Sequence, residues 1–198
     1  MRFSERVVDL VHSPIGAAHA LVGLRTNSRD LLDLSQAAPS FPAADVVIER
    51  IAEAAHEPDV GRYPPQPGLP TLRTAFANDL SHEYGADISA DSVLITAGCN
   101  QAFCIAASAL TSPGDEALLV SPFYFNHDMW LRLEGIHVRH LEPGPDLIPD
   151  PEHAEHLLTD KTRLITLVSP GNPTGVTIPK DVIHRFADLA RRYNIALI

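Results

Sequence analysis

The chain has 198 residues, of which 45% are hydrophobic and 20% are charged, as in ordinary globular proteins. Its net charge of −10 at pH 7 argues against a nucleic-acid surface, which needs clustered lysine and arginine. No apolar run approaches the roughly 20 residues of a membrane helix, and no signal peptide is apparent. The two cysteines, Cys99 and Cys104, favour a reduced, cytoplasmic protein.

The hydrophobic pattern of the first 85 residues predicts helices joined by loops. Gly85 ends the last of these helices, because glycine adopts the left-handed conformation at low cost. The predicted elements are a helical arm over 1–30, a short strand at 31–34, a loop at 35–42, and helices at 45–57 and 71–84 that flank a proline-rich loop.

From residue 93 onward, short apolar runs alternate with helical patterns. This alternation is typical of a three-layer α/β/α fold with a mostly parallel sheet and helices on both faces. The predicted strands are 93–96, 117–120, 136–141, 164–168 and one from 195, and the predicted helices are 101–110, 125–133, 152–158 and 179–193.

Two turns at predicted strand ends could bind a ligand. Gly98, Cys99 and Asn100 enter a helix, where backbone N–H groups without partners and the helix dipole favour an anion. Many such turns bind nothing, so this signal is weak by itself. Asn172 lies in the rigid turn Ser-Pro-Gly-Asn-Pro-Thr-Gly at 169–175, after a buried strand, and open α/β sheets place ligands at strand ends.

Four motifs carry a resemblance to a known family. They are the turn at 169–175, Tyr-Pro-Pro-Gln-Pro-Gly-Leu-Pro-Thr-Leu-Arg at 63–73, Ile-Thr-Ala-Gly-Cys-Asn-Gln-Ala at 95–102, and Ser-Pro-Phe-Tyr at 121–124. In this order and spacing the chain resembles the N-terminal part of fold-type I, pyridoxal-phosphate-dependent aminotransferases of class I/II. The resemblance implies transfer of an amino group between an amino acid and a 2-oxo acid, with pyridoxal 5′-phosphate as cofactor.

The resemblance also implies a role for each cofactor-binding residue. Gly98, Cys99 and Asn100 would hold the phosphate, and Tyr124 would stack on the pyridine ring, although it could also be a core aromatic residue. Asn172 would contact the cofactor's phenolic oxygen and lie beside the substrate. Cis peptide bonds are implied before Pro122 and Pro173.

Two further residues have implied roles outside these turns. Ala37 stands where the family usually has a glycine whose backbone touches the substrate carboxylate, and the segment could equally be a plain connecting loop. Tyr63 would reach the cofactor phosphate of a neighbouring subunit, which implies a homodimer with shared sites. The implied domains are an N-terminal arm of a small domain at 1–44 and a large cofactor-binding domain at 45–198, incomplete at its C-terminus.

The family's Schiff-base lysine has no counterpart in this sequence. The two lysines, Lys161 and Lys180, do not follow a strand in the Ser-x-x-Lys context, and no catalytic residue is therefore assigned. We expect these 198 residues to be part of a longer aminotransferase and to be inactive alone. A lyase, decarboxylase or synthase of the same fold, or a non-catalytic remnant that binds phosphate, are the alternatives.

Histidine pairs could suggest a metal, but the sequence predicts none. His153 and His156 lie three residues apart, as do His137 and His140, and no third ligand follows at zinc-enzyme spacing. Cys99 and Cys104 are too far round one helix to form a redox pair.

Overall fold

The computed structural model describes residues 2–8, 13–34, 36 and 39–198. By its contacts the chain divides into two compact units, one formed by Pro14–Thr96 and one by Ala97–Ile198 together with the segment before Pro14. Within the described ranges, no helix is both long enough and apolar enough to cross a membrane.

A four-stranded sheet forms the centre of the larger unit, with β1 at Glu116–Val120, β2 at His137–Leu141, β3 at Thr162–Thr166 and β4 at Ala196–Leu197. The strands lie in the order β2-β1-β3-β4, and every neighbouring pair is parallel. Parallel neighbours need a crossover, and helices supply it here.

Helices cover both faces of this sheet. They are α5 at Cys99–Leu110, α6 at Phe125–Leu133, α7 at Pro151–Leu157 and α8 at Lys180–Tyr193, while the short α1 at Glu5–Val8 contacts α6. Successive strand residues point to opposite faces, so Leu119 packs with residues of α5 and α6 in one cluster and Leu118 packs with residues of α7 and α8 in another. The predicted three-layer α/β/α arrangement is therefore confirmed.

The other unit contains α2 at Pro14–Gly23, α3 at Asp45–Ala55 and α4 at Pro70–Tyr84. Gly85 ends α4 in the left-handed conformation, with φ of 61°, as predicted. Arg73 ties α4 to the chain that follows it, because its Nε donates to the carbonyl of Val93 at 2.9 Å and its Nη2 approaches the Asp91 carboxylate at 3.3 Å.

Two predicted strands are wrong. Residues 31–34 are exposed coil, so their leucines do not mark a buried strand in this chain. Residues 93–96 are coil and pair with no described strand. The Ile95 N–H donates instead to the carbonyl of Pro67 in the proline-rich loop, and Arg73 donates to the carbonyl of Val93. The third strand of the sheet also ends at Thr166, two residues earlier than predicted.

Candidate functional site

The strand order creates a crevice between β1 and β3. The chain leaves β1 through α6 toward β2 on one side, and it leaves β3 through α8 toward β4 on the other side. Neighbouring strands whose connections diverge in this way open a gap beyond their carboxyl ends, and ligands of open α/β sheets bind there.

A hollow occupies this crevice, and we call it the strand-end hollow. Its walls come from the carboxyl ends of β1 and β3, the loops that follow them, the first turn of α6 and the loop before α7. Its polar and aromatic lining includes Phe123, Tyr124, His127, Thr166, Asn172 and Thr174. The structure thus brings Tyr124 and Asn172, which are predicted from separate motifs, into one wall.

The loop after β1 is anchored from behind. The Ser121–Pro122 bond is cis, and the Phe123 ring stacks on His140 of β2 with centroids 4.6 Å apart. His140 Nε2 lies 3.4 Å from Oδ1 of Asp128, a buried carboxylate that also accepts a hydrogen bond from Arg132 Nε at 2.7 Å. That hydrogen bond raises the pKa of Arg132, so the guanidinium stays charged.

Tyr124 is the residue before α6, and its hydroxyl is held at a fixed position. The hydroxyl oxygen accepts a hydrogen bond from Asn126 Nδ2 at 2.7 Å and another from Asn100 Nδ2 at 3.2 Å. Asn100 therefore connects the turn that enters α5 to the wall of the strand-end hollow.

His127 is a site residue that the sequence analysis missed. Its ring stacks on Phe103 with centroids 3.9 Å apart and meets the Tyr124 ring edge-on at 5.3 Å. Burial lowers the pKa of His127, so its imidazole is neutral at pH 7. Its position three residues after Tyr124, on the adjoining turn of a helix, was the available signal.

The turn predicted to hold an anion begins α5, but it does not contribute to the wall of the strand-end hollow. Gly98 precedes the helix with φ of 89°, and Cys99 and Asn100 are the first two helical residues. The first N–H groups of a helix have no acceptor within it, and the Gln101 side chain accepts the N–H of Ala97 at 2.6 Å.

The loop after β3 is a tight turn that presents Asn172. Its bonds before Pro170 and Pro173 are cis; the second was predicted together with that before Pro122, and the first was not. The Gly171 N–H donates to the carbonyl of Val176 at 2.8 Å, and a Cβ at Gly171 would collide with Oγ1 of Thr174. A side chain at position 171 would therefore displace the Thr174 hydroxyl. The exposed Asn172 amide makes no hydrogen bond to any described residue.

The remaining predicted residues lie elsewhere. Tyr63 belongs to the Pro14–Thr96 unit and its side chain is fully exposed, at 101%. Ala37 lies outside the described residues. Among the residues that are described, no three His, Cys, Asp or Glu side chains come together in a group that could hold a metal ion.

Comparison with known proteins decides the family. The model of the family described as aminotransferase class I and II matches residues 29–198. The chain belongs to this family. The family predicted from the four motifs is thereby confirmed.

Individual members of the family agree with this result. An aspartate/prephenate aminotransferase from Thermus thermophilus is 31% identical over 98% of this chain and 51% of the relative. An aspartate aminotransferase from Thermotoga maritima is 32% identical over 100% of this chain and 52% of the relative. A solved structure of aspartate aminotransferase from Thermus thermophilus with maleate matches at a TM-score of 0.91 and 31% identity, over 100% of this chain and 52% of that one. The chain spans about half the length of these relatives.

Enzymes of this family use pyridoxal 5′-phosphate, and the residues of the strand-end hollow fit that group. Oγ1 of Thr166 is buried in the wall and has no hydrogen-bond partner in the described part of the chain. Buried hydroxyl groups nearly always have a partner, so this atom is a position that a polar ligand would satisfy. The Tyr124 ring and the Asn172 amide add an aromatic face and a hydrogen-bonding group.

Proposed function

We propose that the chain is the cofactor-binding part of a longer protein that transfers an amino group between an amino acid and a 2-oxo acid. One observation carries the proposal. In a chain of the class I and II aminotransferase family, the strand-end hollow lies at the switch point of the sheet and combines Tyr124 with Asn172.

The proposed cofactor contacts come from three loops. Tyr124 offers an aromatic face to the pyridine ring, and such stacking is worth about 0.5–1.5 kcal/mol beyond area burial. Asn172 offers its amide to the phenolic oxygen. Gly98, Cys99 and Asn100 offer backbone N–H groups and the positive end of the α5 dipole to the phosphate. When bound, pyridoxal 5′-phosphate supplies the electron sink of the reaction.

Two residues would act toward the substrate. Asn172 lies at the surface of its loop, where it can also contact a molecule above the cofactor. The proposed backbone contact of Ala37 with the substrate carboxylate stays a prediction.

The buried Asp128 and the stacked pair His140 and Phe123 support the loop after β1 from behind, so that Tyr124 is presented by a rigid element.

The lysine of the proposed reaction is not at the strand-end hollow. Lys161 directly precedes β3, at the amino-terminal end of the strand, whereas the hollow lies at the carboxyl ends. Lys180 is the exposed first residue of α8. Neither contributes to the wall. We therefore propose that these 198 residues alone do not turn over substrate, and that the lysine belongs to another part of the longer protein.

The proposal also covers the oligomeric state, the domain division and the cellular location. The full exposure of Tyr63 supports a homodimer in which this phenol serves the partner's cofactor. The division into an arm at 1–44 and a large domain at 45–198, and a cytoplasmic location, are kept as predictions of the same proposal.

The experiment uses the full-length protein. The purified protein is incubated with pyridoxal 5′-phosphate, freed of excess cofactor and mixed with single amino acids and 2-oxo acids, beginning with aspartate because the relatives named above are aspartate aminotransferases. We expect a visible absorption band that shifts with the amino donor, and equal amounts of new 2-oxo acid and new amino acid.

Three outcomes contradict the proposal. Release of carbon dioxide or ammonia without consumption of the 2-oxo acid would indicate a decarboxylase or lyase. Absence of any cofactor band would indicate a remnant without the chemistry. Turnover by a verified chain of only these 198 residues would contradict the proposed absence of a usable lysine.

A further inference from the structure

The position of the Tyr124 ring is determined at both of its ends. Its backbone end is the residue before α6, which has an extended conformation and makes no side-chain capping bond. Its hydroxyl end accepts hydrogen bonds from Asn126 at 2.7 Å and from Asn100 at 3.2 Å. We call these three residues the phenol clamp.

The two amides of the phenol clamp come from different helices. Asn126 is the second residue of α6 and lies two residues from Tyr124, whereas Asn100 is the second residue of α5 and lies 24 residues away. A ring tethered at its backbone and bonded at its far oxygen from two helices has a fixed axis from Cβ to the hydroxyl oxygen. Rotation about that axis leaves the oxygen in place, and the edge-on contact with His127 at 5.3 Å and 86° restricts this rotation.

We propose that Asn126 and Asn100 are positioning residues that hold the Tyr124 ring in place for stacking, and that Asn100 links this position to anion binding at the turn entering α5. This inference rests on the proposed function, since it concerns the same cofactor. Neither asparagine side chain is assigned to the cofactor itself. A phenylalanine at position 124 would lack the hydroxyl that accepts both amide hydrogen bonds, so its ring would not be held in the same way.

The link to the anion follows from where Asn100 lies. The N–H groups of the first turn of α5 have no acceptor within the helix, and the Asn100 side chain of the same turn binds the phenol. An anion that orders this turn also orders the amide donor. Because binding couplings are reciprocal, a held phenol must in turn favour anion binding at the turn.

The first test is a double-mutant cycle in the full-length protein with the affinity for pyridoxal 5′-phosphate as the readout. Loss of one neutral hydrogen bond predicts that Asn126→Ala weakens cofactor binding about twofold to tenfold. The same change in a Tyr124→Phe background should have no further effect, because the phenol is already gone. Asn78→Ala, at an exposed position on α4, is the matched control and should leave the affinity unchanged.

The second test needs no bound cofactor. Fluorotyrosine is placed at position 124 of the full-length apoprotein, and its fluorine resonance is followed while inorganic phosphate is added. We expect the signal to shift with phosphate in the unsubstituted protein and to respond less in Asn100→Ala, and we expect Asn126→Ala to broaden or shift the signal without phosphate.

The two tests separate failure of the inference from failure of the proposed function. A protein that binds no pyridoxal 5′-phosphate contradicts the proposed function, and the fluorine spectra then decide the clamp alone. Identical spectra for Asn126→Ala and the unsubstituted protein overturn the inference, as does an equal loss of cofactor affinity from Asn126→Ala in the tyrosine and phenylalanine backgrounds.

Discussion

Replacement of Asp128 by alanine tests how the loop after β1 is supported. Asp128 is 6% exposed, and its carboxylate accepts the Arg132 Nε hydrogen at 2.7 Å and lies 3.4 Å from His140 Nε2. The substitution removes both contacts and empties part of the space between α6 and β2. His140, which stacks on Phe123 behind the strand-end hollow, then loses its carboxylate neighbour.

The structure sets the size of the expected effect. A hydrogen bond to a charged group contributes about 1.5–3 kcal/mol to stability. The Arg132 side chain is 44% exposed, so water can solvate its guanidinium once the partner is gone. We therefore expect Asp128→Ala to lower the free energy of unfolding by about 1.5–2 kcal/mol, at the lower end of that range.

An exposed pair of the same length provides the control. Asp188 and Arg191 also lie 2.7 Å apart, but their side chains are 67% and 78% exposed. Exposed ion pairs contribute about 0.2–1 kcal/mol, so Asp188→Ala should cost less than about 1 kcal/mol. The isosteric Asp128→Asn keeps an oxygen for the Arg132 hydrogen and should fall between the two.

The assay is urea unfolding of the full-length apoprotein at pH 7, followed by circular dichroism and analysed for the free energy of unfolding. Repeating it at high salt should shrink the effect of Asp188→Ala, because salt screens exposed charges, and should leave that of Asp128→Ala nearly unchanged. Equal losses from the two alanine variants would refute the reasoning that burial decides the strength of these pairs.

Two further predictions concern the proline-rich loop and the neighbour of Tyr124. Gly68→Ala should lower the free energy of unfolding in urea by about 2 kcal/mol or more, because φ at Gly68 is +103° and a Cβ would lie 2.7 Å from the side chain of Ile95. Gly61 has open space around it, so Gly61→Ala should change stability by less than about 0.5 kcal/mol. A similar loss at both glycines would contradict this prediction. Because burial lowers the pKa of His127, the unfolded chain binds its proton more readily, so stability should fall as the pH drops below the ordinary histidine value. The contribution of His127 to this pH dependence is at most about 1.4 kcal/mol of unfolding free energy per pH unit. His127→Phe keeps a ring against Phe103 and should lose this contribution when urea unfolding is compared between pH 7.5 and 5.5. An unchanged pH dependence would argue against a buried, neutral imidazole.

The sequence by itself determined most of the regular elements and the family. The helices from 45 onward and the strands at the centre of the sheet follow from local periodicity, because a half-buried helix or a buried strand repeats its apolar residues at a fixed spacing. Gly85 ends α4 as predicted, since the left-handed cap depends on a single residue. The four motifs sufficed for the family because each is a short, contiguous turn.

Only the tertiary structure decided which of these pieces meet. Residues 93–96 have a strand's composition, yet their backbone pairs with the proline-rich loop, and periodicity does not reveal the identity of a hydrogen-bonding partner. The contact of Asn100 with Tyr124 spans 24 residues and that of Asp128 with His140 spans 12. Such contacts depend on how α5, α6 and β2 pack against one another. The physical reason is that hydrophobic spacing records which face of an element is buried, whereas polar contacts between elements form only after their packing has set the distances.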